Sequence, residues 1–379
     1  MFGNYVERKS FKYEILAAWV GLIVTWSFFF YGGHSHMSLF IATILGLYMA
    51  INIGANDIAN NMGPAVGSGA IKIKGAIIIA AIFEAAGVLL AGGDVVDTIS
   101  KGIIDPKLIQ NGVQFITIMM ATLAGAAIWV NVATYFKAPV STTHAIVGGL
   151  IGAGITAVGT SIVAWNKIIA IVASWIISPV LGGIVAVLLL LSIRKTILKK
   201  EERGEAAKVW VPVYIGIMVW AFSTYIISKG LNQVISGTFF DFLLRGPIAL
   251  FVGYILGILT FIFLRMHYKK KSAFFKNSKD FINKLFNIPL VFAVALLSFA
   301  HGANDVANAI GPLAAINSTV LEMVKNAGSF GGKVSVQPWI MFLGAIGLVL
   351  GLSVFGSRLI KTVGNEITKL NQIRAYCVA

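Results

Sequence analysis

The chain has 379 residues, of which 58% are hydrophobic and 12% charged, with a mean hydropathy of +0.86 and a formal net charge of +15. So few charged groups cannot cover a water-soluble globule of this size, which excludes a soluble domain. The basic residues fall between apolar runs and not along an aromatic-interleaved groove, which argues against nucleic-acid binding. The single cysteine, Cys377, excludes an internal disulfide and argues against a thiolate metal cluster.

A membrane-crossing helix needs roughly 20 mostly apolar residues. The sequence predicts about ten such stretches, near 15–31, 38–61, 75–92, 112–134, 142–163, 167–193, 210–228, 245–264, 288–312 and 338–355. The first has no small-residue cleavage site and is followed at once by another span, so it reads as a retained helix. With the N-terminus in the cytoplasm, simple alternation puts 23 of the 30 Lys and Arg residues on the inner side, the bias expected of short loops. The stretches "KKEERGEAAK" and "HYKKKSAFFKNSKD" are then cytoplasmic connectors, with contact to anionic lipid as a secondary role. "GDVVDTISKGIIDP" at 93–106 falls in an outer loop.

Polar words interrupt the apolar ones. "NIGANDIANNMGPAVGSG" at 52–69 puts Asp57 and Asn52, Asn56, Asn60 and Asn61 where lipid would favour leucine. A charged side chain at a helix centre costs roughly 2.5 kcal/mol or more in hydrocarbon, so an acid there faces a partner, a cavity or an ion. Glu84 stands alone in "IIIAAIFEAAGVLLAGG" and points to cation neutralisation or a basic partner. "KAPVSTTHAIVGG" at 137–149 sets Ser141, Thr142, Thr143 and His144 between Pro139 and an apolar run. Hydroxyls and unpaired N–H groups at a helix start make an anion site, and the same residues also make an ordinary helix cap. Neither His144 nor His301 has a second histidine at ligand spacing, so no zinc site is expected.

The word "GANDIANNMGP" at 54–64 recurs as "GANDVANAIGP" at 302–312, identical at eight of eleven positions and offset by 248. Each copy follows one apolar run and precedes another, so the repeated unit is a helix pair. With six spans between them the copies point in opposite directions, the organisation of many secondary transporters, whose sites lie at the repeat interface. That parity requires 142–163 to cross completely. Asp57 and Asp305 take equivalent positions, each with Asn one before and three after: Asn56 and Asn60, Asn304 and Asn308. Carboxylate, amide and backbone carbonyl oxygens suit an alkali cation, and the Gly and Pro residues around them favour broken helices whose freed carbonyls complete such a site. The expected fold is all-α and polytopic, with about 10–12 spans and inverted repeats containing broken or re-entrant helices. It divides into an accessory helix (1–37), a first repeat half (38–193), basic loops with two scaffold helices (194–287) and a second repeat half (288–379).

The duplicated "GAND-[IV]-AN-x-x-GP", together with "GPAVGSGAI", "FEAAGVLLAGGDVVDTISKGIID" and "APVSTTH", resembles the inorganic phosphate transporter family, over nearly the whole chain from residue 38 onward. The resemblance implies symport of phosphate with Na⁺ or H⁺, no enzymatic activity, no cofactor beyond the coupling ion, and a homodimer in the cell membrane. It implies that Asn56, Asp57, Glu84, Asn304, Asp305 and the hydroxyls of Ser141, Thr142 and Thr143 line the transport site; the residue types divide it, with Asn56, Asp57, Asn60, Asn304, Asp305, Asn308 and Glu84 expected to bind Na⁺ and Ser141, Thr142 and Thr143, with Asp57 and Asp305, expected to bind phosphate. The family carries a second Pro-Val-Ser-Thr-Thr-His word after the second repeat; this sequence stops at "AYCVA" before it, and the expectation is that the chain continues. The residues alone leave open protons in place of sodium and sulfate in place of phosphate. A remote alternative, an intramembrane aspartyl protease with a carboxyl dyad, would leave the repeat and the flanking asparagines without a reason.

Overall fold

The computed structural model describes residues 37–95, 102–105, 108–230, 247–270, 275–325, 334, 336–367 and 370–379. The predicted span at 15–31 and the accessory helix built on it lie outside them. The described residues are almost all helical. The main helices are α1 (Met37–Gly67), α2 (Ile73–Ala91), α3 (Gly112–Tyr135), α4 (Thr142–Val158), α5 (Trp165–Ile193), α6 (Arg203–Tyr225), α7 (Pro247–Lys270), α8 (Lys279–Leu285), α9 (Asn287–Asp305), α10 (Ala307–Lys325), α11 (Pro338–Val354), α12 (Gly356–Lys361) and α13 (Gln372–Val378).

Among these residues seven helical stretches are long and apolar enough to cross a membrane, or eight if the pair α11 and α12, bent by 57°, is one span. The sequence predicts ten. Apart from 15–31, the difference lies at 142–163, where α4 has only 17 residues because Gly159, with φ +111°, ends it. Glycine enters that left-handed backbone region readily, and an apolar count does not see the stop. The glycines and proline of the first repeat do not break α1, which runs unbroken through Gly54 and Pro64. In the second repeat a turn at Val306 separates α9 from α10.

The chain forms two compact units, each built from separate segments. The first takes residues up to Asp57, Gly92–Ile169 and Asp305–Leu359. In it α1 lies against α11 with almost no side chain between them: a Cβ on Gly54 would come within 2.1 Å of the Leu348 carbonyl oxygen, and one on Gly351 within 1.9 Å of that of Ile51. The pairing of 51 with 351 and of 54 with 348 makes the two helices antiparallel. The second unit takes Ile58–Ala91, Ala170–Asn304 and Ile360–Ala379. There α2 lies against α9 in the same way, with Gly302 at the Glu84 carbonyl (2.2 Å) and Gly87 at that of Phe299 (2.0 Å). In the same unit α6 and α7 approach at Gly216 and Gly257. Beside them the Tyr214 hydroxyl meets Ser192 and Thr196, and Tyr376 of α13 donates to the Tyr214 carbonyl at 3.2 Å. Cys377 is buried with a free thiol.

A side chain at Gly54 would have to displace backbone, which a flexible neighbour cannot absorb. Gly54→Val is therefore expected to lower the melting temperature in detergent sharply or to prevent recovery of monodisperse protein. Gly125→Ala, which meets no atom within 4 Å on α3, should leave it unchanged.

Candidate functional site

The site grows from the turn between α3 and α4. Helix α3 ends with Lys137 in the left-handed region (φ 59°), while Ala138 N–H donates to Ala133 and Lys137 N–H to Thr134. This is a Schellman ending with lysine where glycine is usual. Pro139 follows and cannot continue the helix. Ser141 then caps α4, its hydroxyl oxygen accepting the N–H of His144 at 3.1 Å. Thr142 and Thr143 thus occupy the first helical turn, beside backbone N–H groups that have no helical acceptor.

Asn56 of α1 holds this turn. Its Nδ2 donates to the Thr134 hydroxyl (2.9 Å) and the Ala138 carbonyl (3.1 Å), and its Oδ1 accepts the Val140 N–H (3.0 Å). The residue is fully buried, so its amide is committed on both ends. One turn earlier on α1, Asn52 accepts from Asn131 at 2.9 Å. Asp57, also buried, accepts a 3.0 Å hydrogen bond from the Thr142 hydroxyl. Asn308 of α10 donates to Thr142 (3.4 Å) and Thr143 (3.0 Å). Carboxylate oxygens of Asp57 and Asp305 lie within 4.8 Å of one another.

The first unit therefore brings together Asn56, Asp57, Asp305, Asn308, Thr142 and Thr143, with Ser141 at the cap. Two carboxylates at this separation repel by about 3.5 kcal/mol or more even at an effective dielectric near 20, enough to call for a cation or a shared proton. The arrangement is an oxygen-rich pocket for a positive charge beside a hydroxyl-lined helix start suited to a negative one.

The other predicted ligands belong to the second unit. Glu84 is fully buried; its Oε1 accepts Asn61 Nδ2 at 3.0 Å and stands 3.4 Å from His301 Nδ1. Its Oε2 has no hydrogen-bond partner among the described residues. Asn304 hydrogen-bonds Tyr225 and, like Asn60, is exposed. Sequence reasoning assigned no site role to Asn61, His301 or Thr134. Asn61 and His301 sit inside or beside the repeated word and could have been marked for that; nothing in the sequence points to Thr134.

Fold and site together describe an all-α, polytopic membrane protein with paired acids beside a hydroxyl-bearing helix start. The model of the phosphate transporter family matches residues 53–379, and the chain belongs to that family. A candidate phosphate permease of Helicobacter pylori strain J99 is 49% identical over 341 residues, covering 90% of this chain and 62% of that protein. This chain thus spans less than two thirds of that relative's length. A Pyrococcus abyssi relative of the same description is 39% identical, covering 90% and 80% respectively. A solved structure of a protein described as "The sodium-dependent phosphate transporter" superposes with a TM-score of 0.77 at 32% identity, covering 90% of this chain and 81% of that one.

Asn56→Ala removes three hydrogen bonds and leaves a buried carbonyl and N–H wanting, at about 1–3 kcal/mol for such groups. Hydrogen exchange of the amides at 138–144 is expected to speed by one to two orders of magnitude while α11 amides keep their protection.

Proposed function

We propose that this chain carries inorganic phosphate across a membrane together with cations, Na⁺ being the coupling ion. The observation that carries the reading is the meeting of Asp57 and Asp305, one from each sequence repeat, beside the hydroxyls of Thr142 and Thr143 and the amide of Asn308. The names of the relatives support phosphate as cargo, and the similar solved protein, described as sodium-dependent, supports sodium.

Charge arithmetic demands a co-ion. At about 100 mV inside-negative each elementary charge is worth about 2.3 kcal/mol, so a phosphate dianion entering alone climbs roughly 4.6 kcal/mol. Two sodium ions offset that and a third drives accumulation. Bare carboxylates would repel phosphate; sodium bound between Asp57 and Asp305, with Asn308 contributing its amide oxygen, removes the repulsion and supplies attraction. Thr142 and Thr143 and the open N–H groups at the start of α4 then hold the anion. Ser141 shapes that helix start, and Asn56 acts by fixing the turn. In the second unit Glu84, with Asn61 against it, is a further acid assigned to cations, as are the amides of Asn60 and Asn304. In this reading the protein works as a homodimer in the cell membrane with its N-terminus in the cytoplasm; with α4 only 17 residues long, the span count no longer fixes the relative direction of the two repeats.

In liposomes at fixed pH, labelled phosphate should enter only down a sodium gradient, and sulfate should not compete, because only phosphate keeps a proton to donate to a carboxylate. Uptake that ignores sodium, or equal competition by sulfate, would overturn the assignment. Asp57→Asn is expected to lower sodium-dependent uptake at least 100-fold with the melting temperature kept. Thr142→Val, which deletes a hydrogen bond to charge worth about 1.5–3 kcal/mol, should weaken apparent phosphate affinity roughly 10- to 100-fold.

A further inference from the structure

The second unit carries a groove of about 580 Å³ that the transport site does not use. Its walls are Met218 and Val219 of α6, Phe263 and Leu264 of α7, and Ile288 and Phe292 of α9. Phe263 (67%), Ile288 (70%) and Phe292 (56%) are among its most exposed large side chains, so the groove opens outward. It is not apolar throughout. At one end stand His267, its ring stacked on Phe263, and Tyr268.

That end is also the basic end. The stripe of α7 that supplies Phe263 and His267 reaches Lys270 one turn further, and Lys284 of α8 lies one turn before Ile288; both lysines are exposed. The segments 194–208 and 265–284 hold 13 Lys and Arg against four acids, Glu201, Glu202, Glu205 and Asp280. Lys208 contributes little to this surplus, since Glu205 pairs with it and its ammonium lies 5.5 Å from the Phe275 ring centre. Arg203 is likewise engaged, donating to the Leu198 carbonyl. His267 lines the groove, Lys270 and Lys284 lie one helical turn from lining residues, and among the described residues no carboxylate lines it.

We propose that this groove seats one anionic phospholipid, an acyl chain lying along Val219, Phe263 and Phe292 and the headgroup phosphate meeting His267, Lys270 and Lys284. The apolar walls alone would accept any lipid; the charge at one end selects. Basic pockets between spanning helices recognise anionic headgroups by this combination.

The test is native mass spectrometry of the full chain purified in detergent and exposed to equal amounts of phosphatidylglycerol and phosphatidylcholine of matched chains. The protein should retain one phosphatidylglycerol in clear excess. Lys270→Gln combined with Lys284→Gln should lower that retention about 25-fold and abolish the preference, each lysine near a lipid surface being worth roughly fivefold. Val219→Trp, which fills the groove, should lose both lipids while the melting temperature holds. Equal retention of the two lipids by the unaltered protein, or an undiminished preference in the lysine variant, overturns the proposal. So does efficient cross-linking of Phe292→Cys between two copies in vesicles, which would put a second copy on this face; buried Cys377 does not compete in that reaction.

Discussion

The structure depends on backbone meeting backbone inside each unit. Gly54 against Leu348 and Gly351 against Ile51 lock α1 to α11; Gly302 against Glu84 and Gly87 against Phe299 lock α9 to α2. In a bilayer the hydrophobic effect does not hold helices together, because lipid tails are as apolar as leucine, so association rests on close packing and hydrogen bonds. Removing the side chain at each contact lets van der Waals attraction act along the backbones themselves. The contacts recur with the period of the sequence: Ile51 and Phe299, like Gly54 and Gly302, are separated by 248 residues. Each lock joins the first helix of one repeat to the second helix of the other, so neither unit can form from one repeat alone.

That exchange explains how the acids are distributed. Asp57 and Asp305 come from different repeats yet lie in one unit, because α10 follows α9 across the turn at Val306 and α1 enters the same unit from its other end. Their proximity would be costly in a rigid apolar setting. Here the Thr142 hydroxyl offsets part of that cost on Asp57, and the Asn308 amide holds the two threonines in place. The adjacent asparagine has a different task. Asn56 spends both ends of its amide on the α3–α4 turn, a turn that already carries a lysine in a left-handed conformation costing of order 1–2 kcal/mol. The strain fixes where α4 begins, and so where its hydroxyls stand.

Much of this was legible in the sequence. Apolar runs marked the helices, the repeated word marked the helix pairs, and Pro139 followed by Ser-Thr-Thr marked a helix start with hydroxyls on it. What escaped has physical causes. The partners of Asn56 lie 78 to 84 residues away, so its residue type told of polarity but not of use. Helix α4 read as a full span because Ile162 and Val163, beyond Thr160 and Ser161, carry the apolar count past Gly159. The two interleaved units follow from a choice of packing partner that local composition does not encode, although the matching glycines do record it once their contacts are known.

The repeat also shows where the two halves part company. Counted from the glycine locks, Leu348 occupies in α11 the position that Glu84 occupies in α2: each presents its carbonyl to the first glycine of a GAND word, and each lies three residues before the second lock glycine. The backbone is therefore duplicated while the carboxylate is not. Glu84 stays fully buried with Asn61 on one oxygen and none of the described donors on the other. Leucine at the same packed position would relieve the burial cost without disturbing the lock, which supports the proposed role of Glu84 in holding a cation. The scaffold is thus twofold while the acids are not: the first unit sets two carboxylates, one from each repeat, beside a hydroxyl-bearing helix start, and the second buries a single carboxylate against an amide.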